Sequence, residues 1–293
     1  MNQEKRNQTG PDRIRIENKT YDEERALYHL CHGDLVRVRF EGPADGESVL
    51  KEARDVNLLD CSFSLRYPLW HVDTFTLSES EMDDKTRAPI WYSRHGQIEN
   101  CKLYGVKAVR ECQDISLKKC EVVSPEFGWK SQGVCLKDTE ITSEYIFLDS
   151  SDIRLENVHL KGKYTFQYVQ NLEIRNSILD TKDAFWHAKN VHVYDSVVKG
   201  EYLAWFSDGL TLTRCKIIGT QPLCYCKDLK LIDCEMIDCD LSFEYSDTEA
   251  EVRGHIDSVK NPRSGRIVAD SIGEIINEDS VMETNAEVII RNK

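Results

Sequence analysis

The chain has 293 residues, 40% of them hydrophobic, which is enough to bury a sizeable core and excludes a disordered or fibrous chain. Its 51 acidic against 38 basic residues leave a net charge of −13, so neither nucleic-acid phosphates nor an anionic membrane surface is an expected partner. Eleven cysteines, an odd count, occur without an apolar signal core or any run of about eighteen apolar residues, and a reducing cytoplasmic setting without a membrane span is expected.

At the start of the chain, YDEERALYHL from Tyr21 to Leu30 predicts a short amphipathic helix capped by Thr20 or Asp22. Its expected job is to cover the first open turn of the repeat that follows, so residues 1–34 are read as an N-terminal cap. Asn7-Gln-Thr9 and Asn18-Lys-Thr20 match the glycosylation pattern, which means little without secretion.

Residues 35–243 are read as regular coils of one repeat, apolar-x-apolar-x-(Asp/Asn)-(Cys/Ser)-x-apolar. It is seen in VNLLDCSF from Val56, ISLKKCEV from Ile115, LEIRNSIL from Leu172 and LKLIDCEM from Leu229. The central apolar residue falls at Leu58, Leu77, Ile98, Leu117, Leu136, Leu155, Ile174, Val193, Leu212 and Leu231. Every step is 19 residues except that from Leu77 to Ile98, which is 21, and LVRVRFEG centred on Val38 reads as an earlier turn offset by 20. So strict a spacing requires every repeat to have the same cross-section and to stack on its neighbour. The alternation inside each unit has the period of short half-buried strands and is too broken for helices. Three residues before the central position stand Asp114, Gly133, Asp152, Asn171, Asn190, Gly209 and Asp228, types that tolerate tight or left-handed backbone. Beyond Glu244 the period is lost, and residues 244–293 are read as terminal coils closing the far end of a single domain.

The phrases SLRYPLWH, KAVREC, VSPEFGWK, TKDAFWH, KGEYLAWFS, IIGTQPLCYC and FEYSDTEAE span about Ser64 to Glu251. Through them the chain resembles the right-handed parallel β-helix proteins of the pectate-lyase-like superfamily, and more narrowly an uncharacterised family of single-domain bacterial β-helix proteins. The resemblance implies an all-β, right-handed, single-stranded parallel β-helix, here of about 10–12 coils on a 19-residue period, with the short capping helix at its N-terminus. It implies no reaction, because this fold hosts lyases, hydrolases, esterases, adhesins and inert repeats alike.

The fixed period assigns residues to columns along the rod. One small column holds Cys61, Ser80, Cys101, Cys120, Thr139, Ser177, Ser196, Cys215 and Cys234, and another holds Ser93, Cys112, Ser131, Ser150, Ala188, Ser207 and Cys226. Most of the cysteines are therefore read as small buried residues. Cys224, Cys226, Cys234 and Cys239 cluster late in the chain, but their spacing matches no zinc finger or ribbon, and no metal is expected. Seven residues before the central position stand Trp70, Trp91, Arg110, Trp129, Leu148, Gln167, Trp186, Trp205 and Cys224, so all five tryptophans share one column. The column before it, from Leu69 and Ile90 to Phe185 and Leu223, is apolar or small and is the natural inward face, so alternation points the tryptophans outward. The opposite parity would place them in the core.

Next to the tryptophans run His71, Tyr92, Glu111, Lys130, Asp149, Tyr168, His187, Phe206 and Tyr225. Outward aromatic rings among polar groups suit a carbohydrate, and Trp70, Trp91, Trp129, Trp186, Trp205, His187 and Tyr168 are the candidate substrate-binding residues. Charges concentrate on three adjacent coils, where Glu111 and Asp149 share a column with backbones roughly 9.6 Å apart, a spacing compatible with an inverting glycoside hydrolase. Lys130 stands between them, and a lyase would instead use Arg110 as base. Glu111, Asp149, Arg110 and Lys130 are therefore the candidate catalytic residues. An ordinary charge ladder on a solenoid face accounts for the same residues. No phosphate loop, dinucleotide fingerprint, nucleophile elbow or zincin helix occurs, and no cofactor is expected. A carbohydrate or other small polar ligand is the expected partner. The alternative is a non-catalytic structural rod that oligomerises with itself.

Overall fold

The computed structural model describes residues 12–42 and 46–291. Every regular element in them is a β-strand, and the strands coil into a parallel β-solenoid of about 14 turns with a period near 19 residues. The central residues stack one on the next without slippage, Leu58 on Leu77, then Ile98, Leu117, Leu136 and Leu155. The row continues through Ile174, Val193, Leu212 and Leu231. All ten are buried, because a parallel neighbour covers each from both sides. The one 21-residue step is absorbed in a turn in which Lys85 and Thr86 donate backbone N–H groups to Asp83, leaving the register of Trp91 on Trp70 intact.

Each coil has three sides. The first carries the central apolar residue, as in Arg54–Leu59 and Gln113–Lys118. The second follows an Asn/Asp corner, as in Ser62–Ser64 and Glu121–Val123, and the third includes Leu69–Trp70, Ile90–Trp91 and Val109–Arg110. At the corner leading into the first side, His32, Asp55, Thr74, His95, Asp114, Asp152, Asn171, Asn190 and Asp228 all hold φ between 46° and 61°, joined by Gly133 and Gly209. Left-handed backbone makes a sharp turn, and side-chain amides pay part of its strain by bonding along the axis. Asn171 donates to Asp152 at 2.9 Å and Asn190 to Asn171 at 2.8 Å.

The two small columns have a sharper role than small size. Ser80 accepts the Cys61 N–H at 2.9 Å and donates to the Ser78 carbonyl at 2.7 Å, and Ser131 accepts the Cys112 N–H at 3.1 Å. Cysteine thiols make the equivalent donation, Cys101 to the Glu99 carbonyl at 3.2 Å. These columns satisfy backbone polar groups that the corners would otherwise leave buried and unpaired. All eleven cysteines are free and nine are buried, with Cys31 and Cys135 half-buried.

Two expectations at the N-terminal end are corrected. Tyr21 to Leu30 is not a helix: Thr20–Tyr21 is a strand, and the backbone of Arg25 and His29 is left-handed at φ 54° and 58°. The N–H groups of Arg25, Leu27 and His29 donate to Glu47, Val49 and Lys51 at 2.9 Å each, so the segment is the third side of an early coil. Stacking gives each of those donors a partner on the next coil, which an isolated one-turn helix could not do. The earlier turn is also centred on Leu35, which pairs with Leu58, and not on Val38. Coils therefore begin before residue 35, with Ile14–Glu17 paired to Cys31–Val36. The first eleven residues of the expected cap, including Asn7-Gln-Thr9, lie outside the described residues. Toward the C-terminus Leu231 stacks on Ala250, Ala250 on Ile267 and Ile267 on Val288, so coils persist although the period does not.

Candidate functional site

The third side settles the parity of the tryptophans. Leu69, Ile90, Val109, Phe127, Phe166, Phe185 and Leu223 are fully buried, whereas all five tryptophans are half-buried. Their faces are nonetheless occupied. Trp70 stacks on Trp91 with centroids 5.3 Å apart and planes at 12°, and Trp186 on Trp205 at 5.5 Å and 5°. Indole N–H groups of Trp129, Trp186 and Trp205 donate to the carbonyls of Tyr145, Tyr202 and Gln221 at 3.1, 2.7 and 2.9 Å. Rings stacked along the axis turn their edges outward, so this column is a supporting wall and offers few faces on which a sugar ring could lie.

The following column turns the corner. From His71 through Tyr92, Glu111, Lys130, Asp149, Tyr168, His187 and Phe206 to Tyr225, every residue is left-handed, with φ between 51° and 61°. Their N–H groups are already engaged with the next coil, Glu111 to the Trp129 carbonyl at 2.8 Å and Asp149 to that of Gln167 at 3.1 Å, so only side chains are free to meet a ligand. Held in parallel, the rings form two stacks. His71 lies on Tyr92 at 5.0 Å, and Tyr168, His187, Phe206 and Tyr225 follow one another at 4.9, 5.0 and 4.8 Å.

Glu111, Lys130 and Asp149 separate the two stacks. At about 4.8 Å per coil, the Tyr92 and Tyr168 backbones stand roughly 19 Å apart across this interval. Each of these tyrosines ends its stack, and each is exposed, at 42% and 51%. The face of Tyr168 turned away from His187 therefore looks into the charged interval, whereas Tyr92 is also stacked on Trp91 of its own coil, with centroids 5.0 Å apart. The structure thus gathers the four catalytic candidates in one place and puts Tyr168 at its border. His187 lies inside a stack, and Trp70, Trp91, Trp186 and Trp205 lie in the wall beside the aromatic stacks.

The charges in the interval are unequally engaged. Arg110 donates to Glu111 at 3.1 Å and lies 5.6 Å from the Trp129 ring centroid, and Glu126 approaches Arg110 at 3.9 Å and Lys107 at 3.4 Å. The Glu111 carboxylate also faces the Tyr92 hydroxyl and pushes its pKa above the ordinary phenol value. Lys130 and Asp149 are exposed and, among the described residues, make no ion pair. Glu111 is thus held by a guanidinium while Asp149 is in water. Neither is enclosed in an apolar pocket, Glu111 being half-buried and Asp149 exposed. Tyr92, Phe206 and Tyr225 belong to the same surface. The period alone placed them beside His187 and Tyr168, but no sequence signal distinguishes a ring inside a stack from one that ends it.

A concavity of about 480 Å³ lies outside the first side against Asp152, Arg154, Asn171, Glu173, Asn190 and His192, and none of the sequence candidates lines it. Among the described residues no three His, Cys, Asp or Glu side chains converge as metal ligands. In the same residues no helix is long and apolar enough to cross a membrane.

No curated protein matches this chain in sequence. Among solved structures it is similar to the crystal structure of PfbA, a surface adhesin of Streptococcus pneumoniae, at 8% identity and a TM-score of 0.49, covering 80% of this chain and 84% of that one. Residues 14–290 match the family described as protein of unknown function DUF3737, and the chain belongs to that family.

Proposed function

We propose that the third side binds a carbohydrate in the interval between Tyr92 and Tyr168, within a fold of the pectate-lyase-like kind, and that the protein works by binding rather than by cleavage. The observation that carries this reading is the break in the aromatic column: two exposed tyrosines end their stacks beside Glu111, Lys130 and Asp149. The free ring face of Tyr168 would accept the apolar face of a pyranose, and the exposed Asp149 carboxylate would accept hydrogen bonds from its hydroxyls. Cleavage would need Glu111 and Asp149 to act as an acid–base pair, and the engagement of Glu111 by Arg110 argues against it. A second reading, a plain scaffold, rests on the paired indoles and their carbonyl bonds, which stiffen the rod whether or not a ligand is present.

A glycan array probed with the labelled protein, followed by calorimetry on any hit, tests the proposal. Tyr168→Ala and Asp149→Asn should each weaken the hit by at least about tenfold, a loss in the range of one stacked ring or one charged hydrogen bond. A chain that retains no glycan, or variants that bind as tightly as the parent, would sink the proposal. Release of a shortened product from the bound glycan, abolished in Glu111→Gln, would establish cleavage instead.

A further inference from the structure

The apolar core runs to the C-terminal end of the solenoid, and among the described residues nothing covers it there. Ile272 stands on Ile256, Ile275 on Val259, Val288 on Ile267 and Ile290 on Ala269. Each lower member is buried at 0%, while Ile275 is 42% exposed and the other three upper members are half-buried. Among the described residues, the strand Ser271–Ile276 pairs only with His255–Lys260, and Glu287–Ile290 only with Ser264–Ala269. The outer edge of each therefore presents unpaired N–H and C=O groups beside apolar side chains, which is the template for adding a strand.

We infer that this end is a self-association surface, where two copies meet across a two-fold axis with Glu287–Arg291 of one antiparallel to the same segment of the other. The segment Glu-Val-Ile-Ile-Arg is its own complement when reversed about Ile289. Glu287 then faces Arg291 of the second copy, and Val288 faces its Ile290. A two-fold axis normal to the sheet keeps the inward residues inward, so Val288 and Ile290 continue the core across the junction. The same operation places both Glu287–Arg291 pairs on the outer face. Glu287 is available for this role, being 68% exposed with only a loose contact to Arg266 at 3.8 Å. Arg291 is held at that edge by Asp270 at 2.8 Å and Glu251 at 3.1 Å.

Sedimentation equilibrium over a wide concentration range tests the arrangement. The full chain should pass from monomer to dimer and stop there. Glu287→Arg and Arg291→Glu should each raise the dimer dissociation constant by at least about tenfold, since each sets like charges together at two sites. An equimolar mixture of the two variants should form a heterodimer, because both contacts are then restored. Ile275→Lys, at a site already exposed in the monomer, should keep the chain folded by circular dichroism and monomeric. A chain monomeric at every concentration, a mass that keeps growing beyond the dimer as in head-to-tail stacking, or a mixture no tighter than its components would each overturn the inference.

Discussion

Tyr168 and His187 stand on successive coils with ring centroids 4.9 Å apart and planes at 7°, and the face of Tyr168 turned away from His187 looks toward Asp149. The proposed glycan contact rests on that face. Trp186, on the same coil as His187, has Trp205 on one face and its N–H bonded to the Tyr202 carbonyl.

The two rings should therefore fail in different ways. Trp186→Ala is expected to cost about 2–4 kcal/mol of stability through lost packing and an orphaned carbonyl. Tyr168→Ala should change stability by less than about 1 kcal/mol while weakening the proposed glycan binding by at least about tenfold. Urea unfolding of both variants checks the first half. Equal losses would mean that Tyr168 is only a structural ring.

Gly128→Ala should destabilise the fold by about 1–3 kcal/mol. The backbone there is left-handed at φ +74°, and an added Cβ would lie 2.3 Å from Cδ1 of Phe147, a ring buried in the core between Phe127 and Phe166. A denaturation midpoint equal to the parent's would show that Phe147 can move aside at no cost.

Ser246→Ala removes a buried hydroxyl that accepts the Cys226 N–H at 2.8 Å and donates to the Leu223 carbonyl at 2.6 Å. Both backbone groups would be left buried and unpaired, for a loss of about 2–3 kcal/mol. Thermal unfolding should show it as a lower midpoint with an unchanged far-ultraviolet spectrum.

Thiol reactivity should follow burial. Desolvation pushes the Cys101, Cys112 and Cys239 thiols up to about 12, so they remain protonated and inert at neutral pH. A colorimetric thiol count on the native protein should stop at two, for Cys31 and Cys135, and reach eleven in denaturant. A fast native count above two would mean that the coils open.

Acid should weaken the rod through its carboxylates. The Arg94 guanidinium, with help from His95, holds Asp73 down to about 2, below its unfolded value. The sign is that of a depressed acid: Asp73 stabilises the fold above about pH 4, and this contribution fades as the pH falls toward 2. Asp73→Asn should therefore be less stable than the parent at neutral pH and converge with it near pH 2, which chemical unfolding across that range would reveal.

Most of the fold was legible in the amino-acid order because a coil is a local unit repeated. Leu58 to Leu231 could be placed on one line by counting, and the turn residues from Asp114 to Asp228 are those found with left-handed backbone. The reading failed where the unit is not repeated. Residues 21–30 have an amphipathic pattern that a helix and a third side share, and only hydrogen bonds to Glu47, Val49 and Lys51 decide between them. Leu35 and Val38 both alternate correctly, so the longer step to Leu58 could not be assigned from spacing.

By itself, then, the sequence determined which residues share a column, since a strict period leaves a side chain no freedom to change its place along the rod. It pointed the tryptophans outward through the apolar or small column beside them, but the burial of Leu69, Ile90 and Phe185 was needed to decide that parity. Only the tertiary structure decided what those columns do. Parallel rings held one coil apart occupy each other's faces, so a ring can meet a ligand flat only where its stack ends, and the two stacks stop short of each other, at Tyr92 and Tyr168, because Glu111, Lys130 and Asp149 stand between them.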